Sequence, residues 1–136
     1  MSIQPGLTWE ITHIVEEKDT AFQSGGEGYP RVLSTPRLIS MMETVSASAV
    51  AKELSKEQTT VGSAVQMRHL AATPVGMEVR VHTELVEVNG RRLCFRVEAW
   101  DQVEKIGECD HERFIIDWDR FCKRLAEKEQ AIAPKS

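Results

Sequence analysis

The sequence predicts an α+β fold in which an antiparallel five-stranded sheet wraps around one long helix and a short helix closes the chain. Three observations carry this. Only one long stretch, Ser34 to Leu54, has apolar residues at three- and four-residue steps. Five other stretches alternate apolar and polar residues with period two. Asn89-Gly90 joins two of those stretches and is a strong hairpin signal, suited to a type I′ turn.

Length and composition narrow the classes. A chain of 136 residues is expected to be a single domain over residues 1–136, large enough for a core and small enough to gain from oligomerising. A net charge of −4 argues against a nucleic-acid or anionic-membrane partner. No apolar run approaches the roughly 18 residues of a membrane span. The start, MSIQPGLTWE, lacks the basic-then-apolar layout of a secretion signal. Cys94, Cys109 and Cys122 are odd in number, with no metal-like spacing. The expectation is a reduced, cytoplasmic protein with no metal and no cofactor of its own.

In chain order, Leu7, Trp9, Ile11, His13 and Val15 alternate with polar residues, a half-buried strand with His13 as a polar terminus. Lys18 to Arg31, with SGGEGYP, reads as a mobile flap over the start of the helix; it lacks the GK[ST] ending of a P-loop. In the helix, Thr35 suits the cap and Pro36 the first turn, where a missing N–H costs nothing. Leu38, Met42, Val45 and Ala49 form one stripe. Ile39, Ser40, Ser46, Ala47 and Val50 form a second around a single carboxylate, Glu43, expected near the helix–sheet interface.

After a charged linker, Lys52 to Gln58, a second strand runs from about Thr59 to Leu70. Simple alternation puts Val61, Ser63, Val65, Met67 and His69 on the helix side, with Gly62, Ala64, Gln66 and Arg68 opposite. Thr73 to Gly76 is a turn. Met77, Val79, Val81, Thr83 and Leu85 line a third strand, and Leu93, Phe95, Val97 and Ala99 a fourth. A fifth, Ile106 to Ile116, turns Gly107, Cys109, His111, Arg113 and Ile115 inward and its acidic residues outward. An inward Arg113 needs a carboxylate, a carbonyl or a ligand anion, because an unpaired buried charge is costly. Asp117 to Glu129 is a closing helix with Trp118, Phe121 and Leu125 on its apolar side, and the tail AIAPKS is expected to fray from about residue 130.

Strand, long helix, then four antiparallel strands is the layout of a hotdog domain, which usually pairs with a second copy. The stretch Tyr29 to Thr35, then Met42-Glu43, Gly62, His69 to Gly76, Glu87 to Leu93 and His111-Glu112-Arg113 together resemble the fluoroacetyl-CoA thioesterase family, over about Leu7 to Leu125. The resemblance implies an acyl-CoA substrate, with CoA present only as part of that substrate. It places the family's catalytic threonine, glutamate and histidine on Thr35, Glu43 and His69. The active-site glycine falls on Gly62 and the arginine near the substrate on Arg113. Tyr29 keeps one aromatic position of the lid that closes the acyl pocket in the fluoroacetate-specific member, while Ser24 to Gly28 supplies no phenylalanine at the other.

These residue types suit thioester cleavage, which needs a nucleophile, a proton carrier and a site for the developing oxyanion. Eight helical residues rise about 12 Å, so Thr35 and Glu43 are expected to flank the thioester, with His69 on the sheet between them. Backbone N–H groups near Gly62 or at the helix start are candidates for the oxyanion site. Arg31, Arg37, Arg68, Arg91 and Arg92 are candidates for CoA phosphates. A hotdog dehydratase would place a histidine on the long helix, and none lies between Ser34 and Leu54. A non-enzymatic acyl-CoA or small-ligand binding protein shares the fold but has no use for a proton carrier. The expected assembly is a homodimer or higher homo-oligomer.

Overall fold

The computed structural model describes residues 3–132. Strand β1 (Thr8–Ile14) leads through a 3-10 turn at Glu17–Asp19 and a short helix α1 (Ala21–Gly25) into the long helix α2 (Thr35–Ala51). Strands β2 (Gln58–His69), β3 (Glu78–Asn89), β4 (Arg92–Trp100) and β5 (Lys105–Asp117) follow, then helix α3 (Trp118–Gln130). All neighbouring strands pair antiparallel in the order β1-β3-β4-β5-β2, leaving β1 and β2 as edges, and α2 lies against all five. This is the layout the sequence predicts. The expected fraying of the tail falls largely on residues 133–136, which lie outside the described residues.

The core forms where the two periodicities meet. Leu38, Met41, Met42, Val45 and Val50 of α2 pack with Val79, Val81 and Leu85 of β3 and Leu93, Phe95, Val97 and Ala99 of β4, all at most 2% exposed. Each such side chain contributes roughly 1.5–3 kcal/mol by leaving water. The second helical stripe divides. Ser46 and Val50 are buried, with the Ser46 hydroxyl hydrogen-bonded to Thr83 at 2.9 Å. Glu43, Ala47 and exposed Ser40 line an open groove instead.

Three local expectations are corrected. The cap of α2 is Ser34, whose hydroxyl accepts the Arg37 N–H at 3.1 Å, rather than Thr35. This leaves the Thr35 hydroxyl free of capping. The hairpin pairs Asn89 with Arg92, so its central residues are Gly90 and Arg91. Gly90 has φ +63° and no residue other than glycine has positive φ among the described residues, the pattern of a type II′ turn rather than I′. The glycine-rich flap holds a 3-10 turn and α1 instead of being plain loop. Helix α3 forms where the sequence expects it, and among the described residues none of its side chains is buried, with Trp118 56% exposed.

Strand β1 is tied to α2 through Asp19, which is 2% exposed. His13 Nε2 and the Glu16 N–H donate to its Oδ2 at 2.7 and 2.8 Å, and Arg37 Nε donates to Oδ1 at 2.8 Å. Burial alone would raise this carboxyl, but the Glu16 N–H, Arg37 and His13 outweigh it and bring the pKa down to about 2 from 3.8. A depressed carboxyl adds stability that is full above its unfolded value and lost as pH falls through its folded value, here roughly 2 kcal/mol. Unfolding free energy should therefore decline between pH 4 and 2, with a flatter decline for Asp19→Asn. Equal acid slopes in denaturant titrations would contradict this.

Candidate active site

Two clusters form on the inner face of the sheet. The first joins the start of α2 to the end of β2. With Ser34 as cap, Thr35 is the first helical residue, and its Oγ1 lies 2.8 Å from His69 Nδ1. Burial lowers the His69 pKa below 6.5, partly offset by the Ala71 backbone. With the imidazole neutral and its proton on Nε2, the Thr35 hydroxyl donates to Nδ1. Nε2 is itself buried without a hydrogen-bond partner among the described residues. Beside the pair lies an open cleft of about 380 Å³ whose walls include Ala21, Leu33, Leu70 and Ala71.

The second cluster sits two turns along α2. Glu43 Oε2 is 4.0 Å from Arg113 Nη1. Arg113 is 8% exposed, and its guanidinium donates from Nε to Thr60 Oγ1 (2.9 Å), from Nη2 to the Thr60 carbonyl (3.0 Å) and from Nη1 to His111 Nε2 (3.2 Å). The inward arginine thus finds a carbonyl, a hydroxyl, an imidazole and a nearby carboxylate. Since His111 Nε2 accepts from Arg113, its Nδ1 carries the proton and donates to the Ala64 carbonyl at 2.8 Å. His111 is held neutral, its pKa lowered first by burial and also by the Arg113 charge.

Strict alternation puts Gly62 and His69 on opposite faces of β2, yet both face α2. A bulge lies between Gly62 and Ala64: Gly62 pairs with Arg113, whereas Val65 pairs with His111 and His69 with Gly107. The extra residue, Ser63, inverts the phase, so the inward set is Thr60 and Gly62 before the bulge and Val65, Met67 and His69 after it. A Cβ at Gly62 would stand 2.8 Å from Glu43 Oε2 and 3.3 Å from Arg113 Nη1. Gly62→Ala is therefore expected to displace the flexible Glu43 carboxylate while changing stability by less than about 1 kcal/mol. A crystal structure of the variant with Glu43 unmoved, or a larger loss in thermal melts, would contradict this.

The structure brings Thr35 and His69 into contact and gathers Glu43, Gly62 and Arg113. His69 bonds Thr35 directly rather than standing midway to Glu43. Tyr29 is 57% exposed, and its ring covers Gly25, where any Cβ would come within 2.6 Å of it. The neighbouring aromatic, Phe22, lies under the Arg31 guanidinium at 3.9 Å. Sequence reasoning turns His111 inward without giving it a role, and the structure makes it a partner of Arg113. Its signal was an inward position two residues before Arg113.

The oxyanion candidates at the helix start also narrow. Ser34 takes the Arg37 N–H and the Leu38 N–H, and Pro36 has none, which leaves the N–H of Thr35. Of the five candidate phosphate arginines, four are engaged: Arg31 with Glu17, Arg37 with Asp19, Arg91 with Asp117, and Arg92 with Glu112 and Glu87. The fifth, Arg68, faces Glu108 across the β2–β5 pair, and its charge helps to lower that carboxyl's pKa.

A profile of the fluoroacetyl-CoA-specific thioesterase family matches residues 15–119. The fluoroacetyl-CoA thioesterase of Streptantibioticus cattleyicolor is 38% identical over 103 residues, 76% of this chain and 74% of that protein. The solved structure of the fluoroacetyl-CoA thioesterase FlK has a TM-score of 0.88 at 32% identity, covering 94% of this chain and 98% of that one. A hot-dog-like protein from Thermanaerovibrio acidaminovorans shares the fold alone, with a TM-score of 0.86 at 19% identity over 96% and 94% of the two chains.

Proposed function

The chain belongs to the fluoroacetyl-CoA-specific thioesterase family, and from that premise we propose that it is a thioester hydrolase that cleaves a small acyl-CoA to the free acid and CoA. The observation that carries the reading is the hydrogen bond between the Thr35 hydroxyl and His69 Nδ1 at 2.8 Å, beside a cleft whose apolar wall includes Ala21, Leu33, Leu70 and Ala71. With its pKa held below 6.5, His69 is neutral near pH 7 and ready to accept a proton. In the proposed reaction it takes the proton of Thr35, or of a water that Thr35 aligns, as that oxygen attacks the thioester carbon. The Thr35 N–H receives the developing oxyanion, and as the oxyanion collapses the C–S bond breaks and the CoA sulfur leaves with the proton that His69 returns. Glu43 flanks the thioester from the far side, held toward Arg113, and serves the water step. Gly62 keeps the space in front of Glu43 clear. Tyr29 borders the acyl entrance.

The lid supports a small acyl group without selectivity for fluorine. Tyr29 is turned onto Gly25, and nothing aromatic in Ser24 to Gly28 closes the cleft, so the site excludes water less tightly. The deciding experiment is release of free CoA thiol from a panel of acetyl-, fluoroacetyl-, propionyl- and butyryl-CoA. Turnover of several with similar kcat/KM is expected, and no turnover of any would overturn the reading.

Assembly as a homodimer in the cytoplasm belongs to the same proposal. Strand β2 is an open edge of 12 residues, and the groove beside Glu43 is walled by the small side chains Ala47 and Ala51 of α2, both suited to close approach by a second copy. The three cysteines are unpaired. Sedimentation at micromolar concentration should give a dimer mass, and a species of ~15 kDa alone would exclude it.

A further inference from the structure

Asp19 lies outside every motif that points to thioesterase chemistry, yet it is one of the most deeply buried charged groups, at 2% exposure. Three N–H donors converge on its two oxygens: His13 Nε2 and the Glu16 N–H on Oδ2, and Arg37 Nε on Oδ1. They come from three places in the chain, the end of β1, the 3-10 turn and the first turn of α2. The main chain of Asp19 joins in, because its carbonyl accepts the Ser34 N–H at 2.9 Å. On either side, Ala21 N–H bonds the Val32 carbonyl and Leu33 N–H bonds the Thr73 carbonyl, both at 2.9 Å. The three residues before Thr35 are thus strapped between the Asp19 turn and the segment that follows β2.

We infer that Asp19 is a positioning residue: its buried carboxylate, braced by His13, grips Arg37 and so fixes the first turn of α2 in the place that sets Thr35 against His69. The effect on turnover rests on the thioesterase reading above; the geometric claim does not. Thr35 directly follows the residue that Asp19 holds through its carbonyl, and Arg37, held through the carboxylate, is two residues further. A carboxylate suits this task and an amide does not. Three donors need two accepting oxygens, and an asparagine amide offers one oxygen and sets an N–H₂ against the remaining donor. His13, Glu16 and Asp19 also bring ligand-type atoms within 4.8 Å of one another. Both Asp19 oxygens are already occupied by these donors, so the cluster reads as a clamp.

Precision at this point matters, because a nucleophile displaced by about 1 Å can lose roughly 100-fold in rate. The first variant is Asp19→Asn. The second is Arg37→Gln, which severs the tie from the helix side at a residue one third exposed and leaves the Asp19–His13 pair in place. Each is assayed well below its own melting temperature, with acetyl-CoA as substrate, and the His69 ring is followed by NMR through a pH titration. For D19N, kcat should fall roughly 10- to 100-fold with KM changed only slightly. The His69 midpoint should rise as the ring loses the Thr35 hydroxyl that favours its neutral form. R37Q should change both in the same direction by less, and it decides the matter if D19N does not fold.

A merely structural Asp19 gives a lower melting temperature with unchanged kcat per folded molecule and an unmoved His69 titration, and that result overturns the inference. Inactivity of the wild type would overturn the thioesterase reading instead, and the His69 titration would still decide the role of Asp19.

Discussion

His69→Ala is expected to lower kcat by roughly 10²–10⁴-fold while leaving the binding of a non-hydrolysable acyl-CoA analogue nearly intact. The imidazole touches the reacting oxygen through Nδ1, its pKa is lowered by burial, and it is only partly buried. Its removal therefore takes away a proton acceptor more than it takes away packing. The pH profile gives a second check. A base must be unprotonated to act, so wild-type kcat/KM should show an acid limb whose midpoint lies below 6.5. H69A should lose that acid limb. Single-turnover thioesterase assays and isothermal titration with the analogue make the measurement. Wild-type turnover per folded H69A molecule would remove the histidine from the mechanism.

Glu43→Gln preserves shape and deletes charge, and is expected to cost roughly 10²-fold in kcat with a small change in melting temperature. The sequence places this carboxylate at the helix–sheet interface, where desolvation would make its neutral replacement stabilising. The side chain is 41% exposed, so little desolvation remains to be relieved. Arg113 does not depend on it either, because Thr60 and His111 hold the guanidinium from three sides. A structural ion pair would behave in the opposite way, with a lower melting temperature and unchanged turnover in E43Q. That outcome would return Glu43 to the framework of the fold.

The site was legible in the sequence to the extent that residue types and simple periods carry it. The inward turn of His111 and Arg113 follows from alternation along an unbroken β5, whereas the roles expected of Thr35, Glu43 and His69 rest on the family resemblance and on no period. The juxtaposition of Gly62 with His69 was not legible, because the bulge at Ser63 has no signature in an alternating stretch that reads equally well without it. Ser34 and Thr35 are both acceptable caps by residue type, and which of them caps depends on where the chain enters the helix. Asp19 fixes that entry from 15 residues upstream.

By itself the sequence determined the elements, their order, the core faces of β3, β4 and β5 and the side-chain types available at the start of the long helix. Those follow from period, turn residues and side-chain type, which act over a few neighbouring positions. Only the tertiary structure decided which groups meet: Thr35 with His69, Arg113 with Thr60 and His111, and Asp19 with Arg37. It also decided that, among the described residues, no side chain of α3 would be buried. These outcomes depend on register, on one inserted residue and on burial by segments far away in sequence. A hydrogen bond needs its partners placed to within a few tenths of an ångström, and no local pattern encodes position that finely.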